Sequence, residues 1–183
     1  MSMDTFSAVE TNGLIVVPAQ NEANSLYQDG YGRLVPDSRL LSLEPFEALY
    51  LTERQKISVI SEEDHERLVF QEILSRYSKD DPDLWTRYMV YRDLRTRGFV
   101  AKRGPGYGVD FLVYERGASR KKEPRHLVHV VGEGSPEPVK HLTEILGASN
   151  EENWQLKLAV VDRRGEIVYY SLSNADVLEE GLG

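Results

Sequence analysis

At Gly98 the apolar residues of this chain change their period. Before it, Leu84, Tyr88, Tyr91 and Leu94 recur at helical spacing. After it come "FVAKR", "VDFLVYE" and "RHLVHVV", short aromatic and branched runs broken by turn residues, which is how strands read. The helical period returns in "VKHLTEILG", which the spacing ends at Gly147, and "LKLAVVD", "RRG" and "EIVYYSL" read as a closing hairpin. A helix, a mostly β middle and a second helix make a chain of mixed class, α/β in the α+β sense.

The residues before this unit alternate too. Gly13 to Pro18 reads as a strand, "EANSLYQDGYG" as loop, and "LLSLEPFEALYLTER" as a short helix with Pro45 in its first turn. "KISVI" is a strand. Ser61 with Asp64 resembles a capping box opening a helix through "SEEDHERLVFQEILSRYSK". Asp81 then caps the next helix, with Pro82 at its first position. The expected boundary lies between Lys79 and Pro82. It gives a disordered lead-in over 1–12, an N-terminal α/β domain over 13–80, a C-terminal domain over 81–175 and an acidic tail over 176–183. The junction is short, so the domains are expected to share a buried interface.

Composition excludes several classes. The 183 residues hold no cysteine, which removes disulfides, thiolate nucleophiles and cysteine zinc sites. No apolar run approaches the roughly 20 residues that span a bilayer, and the N-terminus has no secretory pattern, so a cytoplasmic location is expected. The formal net charge of −8 argues against a lone nucleic-acid binder. Its distribution is uneven. Arg116, Arg120, Lys121, Lys122 and Arg125 crowd one loop, and Arg92, Arg95 and Arg97 crowd one helix end, both candidates for RNA contact.

The stretch "YRDLRTRGFVAKRGPGYGVDFLVYERG" resembles the segment that opens the C-terminal domain of archaeal tRNA-splicing endonucleases, the tRNA-intron endonucleases. "LSLEPFEALYL" is similar to that family's N-terminal helix, and "LAVVDRRGEIVYYSL" to its closing hairpin. The resemblance runs from near Gly30 to near Leu172. It implies a small N-terminal α/β domain and a C-terminal endonuclease-like domain whose mixed sheet is flanked by helices. It also implies RNA cleavage at bulge–helix–bulge motifs, with the neighbouring 2′-hydroxyl as nucleophile. The ends left are a 2′,3′-cyclic phosphate and a 5′-hydroxyl, and neither metal nor other cofactor is called for.

Such cleavage needs a group to take the 2′-hydroxyl proton, an acid for the leaving oxygen and a cation for the phosphorane. The family uses Tyr, His and Lys. The tyrosine corresponds to Tyr114, because Asp110, Phe111 and Val113 fix the register. The histidine position, four residues before Leu127, is Glu123, and the lysine position falls among Asn153, Trp154 and Gln155. A carboxylate is ordinarily ionised at neutral pH and repels phosphate. Two roles are thus vacant, and Tyr114 is vestigial. The chain therefore resembles the non-catalytic subunit of the two-subunit type, which scaffolds a catalytic chain in an (αβ)2 heterotetramer acting on precursor tRNA. The alternative is an active homo-oligomeric enzyme using Tyr114, His126 and Lys157. Less supported are a metal-dependent nuclease using Asp110 with Gln155 and Lys157, and a plain RNA-binding module. In the assembly reading, Glu133 and Glu137 on the loop "GEGSPEPVK" meet a basic pocket of a neighbour. Ile167, Val168, Tyr169 and Tyr170 offer a strand edge for pairing.

Overall fold

The computed structural model describes residues 5–116 and 123–174. The N-terminal half contains β1 (Phe6–Thr11), β2 (Leu14–Val17), α1 (Gln20–Gln28), β3 (Arg33–Leu34), β4 (Leu41–Leu43), α2 (Pro45–Glu53), β5 (Ile57–Ser61), β6 (Arg67–Leu68) and α3 (Phe70–Tyr77). The C-terminal half contains α4 (Leu84–Thr96), β7 (Val100–Arg103), β8 (Phe111–Tyr114), β9 (His126–Gly132), α5 (Val139–Glu151), β10 (Gln155–Val161) and β11 (Ile167–Leu172).

Each half builds a mixed sheet. The first runs β3-β4-β2-β1-β5-β6, and only its β1–β5 pair is parallel. The second runs β11-β10-β9-β8-β7, with β9 and β10 parallel and joined through α5. The expected mixed α+β class and helix-flanked C-terminal sheet are what the chain adopts. One apolar core crosses the boundary. Phe46 of α2 packs 4.8 Å from Tyr91 of α4 and edge-on to Phe111 of β8 at 5.2 Å, centroid to centroid.

Several local expectations give way to tertiary structure. Residues 6–11, assigned to the lead-in, form β1, an interior strand of the first sheet. They pair with β2 across Asn12 and Gly13, both at positive φ, as a two-residue hairpin turn requires. The expected loop at 22–32 is largely α1, which buries Ala23 and Leu26 one turn apart. The helix expected from Ser61 begins only at Phe70. Ser61 instead ends β5, fully buried beside β1, and Asp64 accepts the Glu66 N–H in a local turn. Helix α5 runs past Gly147 to Glu151 because Ser149 is buried and donates its hydroxyl to Leu146 O.

Candidate active site

The ladders bring three distant stretches to one end of the second sheet. The Arg125 N–H donates to Val113 O at 3.0 Å, and Arg125 O accepts the Gln155 N–H at 2.9 Å. Tyr114, Glu123–Arg125 and Asn153–Gln155 therefore converge at adjacent strand ends. These are the three positions at which the resemblance calls for a tyrosine, an acid and a cation.

Tyr114 is half-buried and lines a cleft of about 430 Å³ between the two halves, with Tyr27, Gly30, Gly32, Val100 and Lys102 among its walls. Apart from Arg33, the charged groups lining this cleft are engaged within the chain. Lys102 Nζ donates to Gly32 O at 2.8 Å and sits 3.9 Å from Glu47, which is 1% exposed. Glu47 in turn accepts the N–H groups of Gly32 and Glu44, both at 2.9 Å. Burial raises the Glu47 pKa and lowers that of Lys102, in each case outweighing the attraction between them. Arg103 pairs with Glu44 at 2.9 Å.

The other two positions hold different chemistry. Glu123 is solvent-exposed. Asn153 turns the chain at φ 57°, and Trp154 packs on the apolar cluster of Val109, Leu127, Ile145, Leu146 and Leu156. Gln155 is exposed and begins β10. The alternative pair lies close by but on the wrong side. Val113 faces His126 across the β8–β9 ladder, so alternation sends Tyr114 to the opposite face. Lys157, level with Val128, shares the His126 face and donates to Ser171 Oγ at 2.6 Å. Burial, and then the nearby Lys157 charge, lower the His126 pKa, which disfavours an imidazolium acid at neutral pH. Asp110 lies on the face opposite Lys157 and is bound by Arg87 and the Val130 N–H, so the metal-nuclease constellation is not assembled.

Of the basic loop, Arg120, Lys121 and Lys122 lie outside the described residues, as do residues 1–4 and the acidic tail. Arg116 is exposed and stacks over Phe99 at 5.1 Å, and Arg125 is exposed and 3.5 Å from Glu115. The helix-end arginines bind within the chain. Arg92 pairs with Glu53 at 3.3 Å, Arg95 donates to Asp29 O at 2.8 Å, and Arg97 pairs with Asp93 at 2.9 Å.

The assembly residues divide by exposure. Strand β11 is an edge of its sheet. Ile167 and Tyr169 turn inward, and the Tyr169 hydroxyl donates to Asp93 at 2.7 Å. Val168 and Tyr170 stand 51% and 55% exposed on the other face, bare apolar surface next to unpaired backbone. Glu133 is exposed, and its carboxylate accepts the Arg163 N–H at 3.0 Å. Glu137 turns inward instead, onto His129 and His141. The cluster of Asp110, His129, Glu137 and His141 was not singled out from sequence as a group. Its only local signal is the i,i+4 spacing of Glu137 and His141.

Residues 7–74 match the tRNA intron endonuclease N-terminal domain, and residues 84–169 match the catalytic C-terminal domain of the same enzymes. The chain belongs to the tRNA intron endonuclease family. It is 32% identical to the tRNA-splicing endonuclease of Methanococcus maripaludis over 92% of this chain and 93% of that one. It is 34% identical to that of Pyrococcus abyssi, over 81% of this chain and 84% of the relative. Against the tRNA-splicing endonuclease of Methanococcoides burtonii, identity is 35% over 86% of this chain but only 43% of the relative. Among the described residues, no helix is long and apolar enough to cross a membrane.

Proposed function

We propose that this member of the family is a structural, non-catalytic subunit of a tRNA-splicing endonuclease, working in an (αβ)2 heterotetramer with a catalytic chain on precursor tRNA in the cytoplasm. One observation carries the reading. At the sheet end where Tyr114 stands, the places for acid and cation are filled by exposed Glu123, the Asn153 turn and the packed indole of Trp154. None of these groups protonates a leaving 5′-oxygen or neutralises a phosphorane at neutral pH. The subunit would then contribute geometry. Exposed Val168 and Tyr170 on the β11 edge would pair with a neighbouring chain, and Glu133 would enter a basic pocket. Arg116 and Arg125, with Arg120, Lys121 and Lys122, would face RNA phosphates.

A second reading has its own support. The near full-length match to single-unit proteins named tRNA-splicing endonuclease favours an active homo-oligomer using Tyr114, His126 and Lys157. The strand register, which separates Tyr114 from the other two, counts against it. A cleavage assay on bulge–helix–bulge RNA decides between them. The purified chain alone is expected to leave the RNA intact and to support cutting once its catalytic partner is added. Cleavage by this chain alone, lost in Tyr114→Phe, would establish the second reading.

A further inference from the structure

On the α5 side of the second sheet, two histidines and two carboxylates meet, and neutral imidazoles do not carry enough protons for them. His141 Nε2 lies 3.0 Å from Tyr107 O, which can only accept, so this nitrogen holds the hydrogen. The Nδ1 of a neutral His141 is then a lone pair, and it is in close contact with Glu137 Oε1. His129 repeats the problem. It is 6% exposed, with Nδ1 3.2 Å from Asp110 Oδ2 and Nε2 3.2 Å from Glu137 Oε2. Neither contact has the alignment of a hydrogen bond, so both buried ring nitrogens lack a well-made partner among the described residues. With its one hydrogen toward Asp110, His129 also points a lone pair at Glu137. Two nitrogen lone pairs thus converge on one carboxylate.

The charges leave a matching deficit. Asp81, Asp110 and Glu137 are three carboxylates, linked through Arg87 and His129, and Arg87 is the one guanidinium among them. Asp81 is 35% exposed and screened by solvent, so the more buried part, Asp110 and Glu137 against Arg87, is short of one positive charge. A bound cation would supply it, as would a proton on His129, whose pKa burial lowers but Asp110 and Glu137 raise on balance.

We propose that His129 Nε2, His141 Nδ1 and the Glu137 carboxylate bind one divalent metal ion, zinc by the chemistry of the donors. One donor atom from each of these residues lies within 4.8 Å of the others. Tetrahedral zinc with bonds near 2.0–2.1 Å holds its ligands roughly 3.3 Å apart, so small side-chain rotations suffice. Two imidazoles and a carboxylate suit zinc, whereas magnesium and calcium favour oxygen donors throughout. The groups behind the ligands fit as well. Metal-bound histidines usually give their second N–H to a carboxylate or a backbone carbonyl, which is what Asp110 and Tyr107 O offer. Asp110 is itself held by Arg87 Nε at 2.8 Å and the Val130 N–H at 2.7 Å. Gly108 lets the backbone close on the His141 ring, since a Cβ there would sit 2.6 Å from Nε2. The ion would staple the loop ahead of α5, which carries Glu133, to β9. None of its ligands is Tyr114, His126 or Lys157, so the inference stands whichever reading of the active site is right.

The test is zinc titration of the untagged, chelator-stripped full chain by calorimetry, with cobalt absorption as a second readout. The expected result is one zinc per chain at micromolar affinity or better, a raised Tm, and the visible bands of nitrogen-ligated tetrahedral cobalt. His141→Ala is expected to lose affinity by about 100-fold or more, and Asp110→Asn by about 10–100-fold. His65→Ala, at an exposed histidine outside the cluster, should change nothing. Should His129→Ala fail to fold, Glu137→Gln, whose side chain is at the rim, still has to weaken binding at least about 10-fold. Absence of zinc uptake overturns the site. Uptake of equal strength in wild type, Glu137→Gln and His141→Ala overturns it too.

Discussion

The α4 face of the C-terminal sheet is one apolar core except at the strand ends where His126 and Lys157 stand, whereas the α5 face is divided among an apolar cluster, a polar knot and bare strand surface. On the first face Ala101, Phe111, Val113, Val128, Ala159 and Val161 join the aromatic residues of α2 and α4 in one core spanning both halves. On the second, the buried apolar set is Val109, Leu127, Ile145, Leu146 and Leu156, beside His129 and its carboxylates, with Val168 and Tyr170 exposed at the edge. The difference assigns tasks. A continuous core gives cooperative stability, and a face that leaves polar and exposed groups keeps them for contacts outside the fold.

The comparison breaks first at Phe111. Phe111→Ala opens the shared core and is expected to cost about 3–5 kcal/mol in urea unfolding, with both halves melting in one transition. Two separate transitions in the wild-type chain would show that the core does not join the halves. On the other face, Ile145→Ala should cost about 2–4 kcal/mol and loosen α5 preferentially, as hydrogen exchange would reveal. Equal loss of protection across α4 would mean that the faces are not distinct.

Lys102→Met probes the boundary between the halves, at about 1–3 kcal/mol near neutral pH, because Glu47 loses its cation. The signs can be followed through pH. The Glu47 pKa is raised in the fold, so stability is greatest below the ordinary 4.5 and falls as pH climbs through the folded value. The Lys102 pKa is lowered, so stability recovers between its folded value and the ordinary 10.5. Lys102→Met should extend the acid-side fall to higher pH and abolish the alkaline recovery. An unchanged stability–pH curve would refute the coupling. The smallest effect on stability belongs to the bare edge. Val168→Lys with Tyr170→Lys should alter unfolding by about 0.5 kcal/mol or less, yet abolish assembly measured by sedimentation. Unchanged assembly would remove β11 from the interface.

The legibility of the chain in sequence followed the range of the forces involved. The period change at Gly98 marked α4 and the strands after it, because burial of one stripe repeats locally. The Asn12–Gly13 turn was an equally local signal for β1, but polar Ser7 and Glu10 thin out the apolar pattern of that strand. Helix α1 hides for a similar reason, since only Ala23 and Leu26 are buried among amides and hydroxyls. Ser61 had the local chemistry of a cap, and the β1 partner strand overruled it. At the site, Tyr114 could be placed by its strand motif. The odd, three-residue offset of His126 from Glu123 already turned it to the opposite face. Its pairing with Val113, one residue before Tyr114, was set by the register after a loop.

What the sequence determined alone was class and kinship: the order of elements, the tyrosine at the end of β8, and the residue types available around it. Tertiary structure decided which side chains share a space. It joined two halves through Phe46, Tyr91 and Phe111, and it turned Glu137 away from solvent onto His129 and His141. The physical reason is that periodicity encodes which side of an element is buried, whereas the partner across that side is chosen by long-range packing.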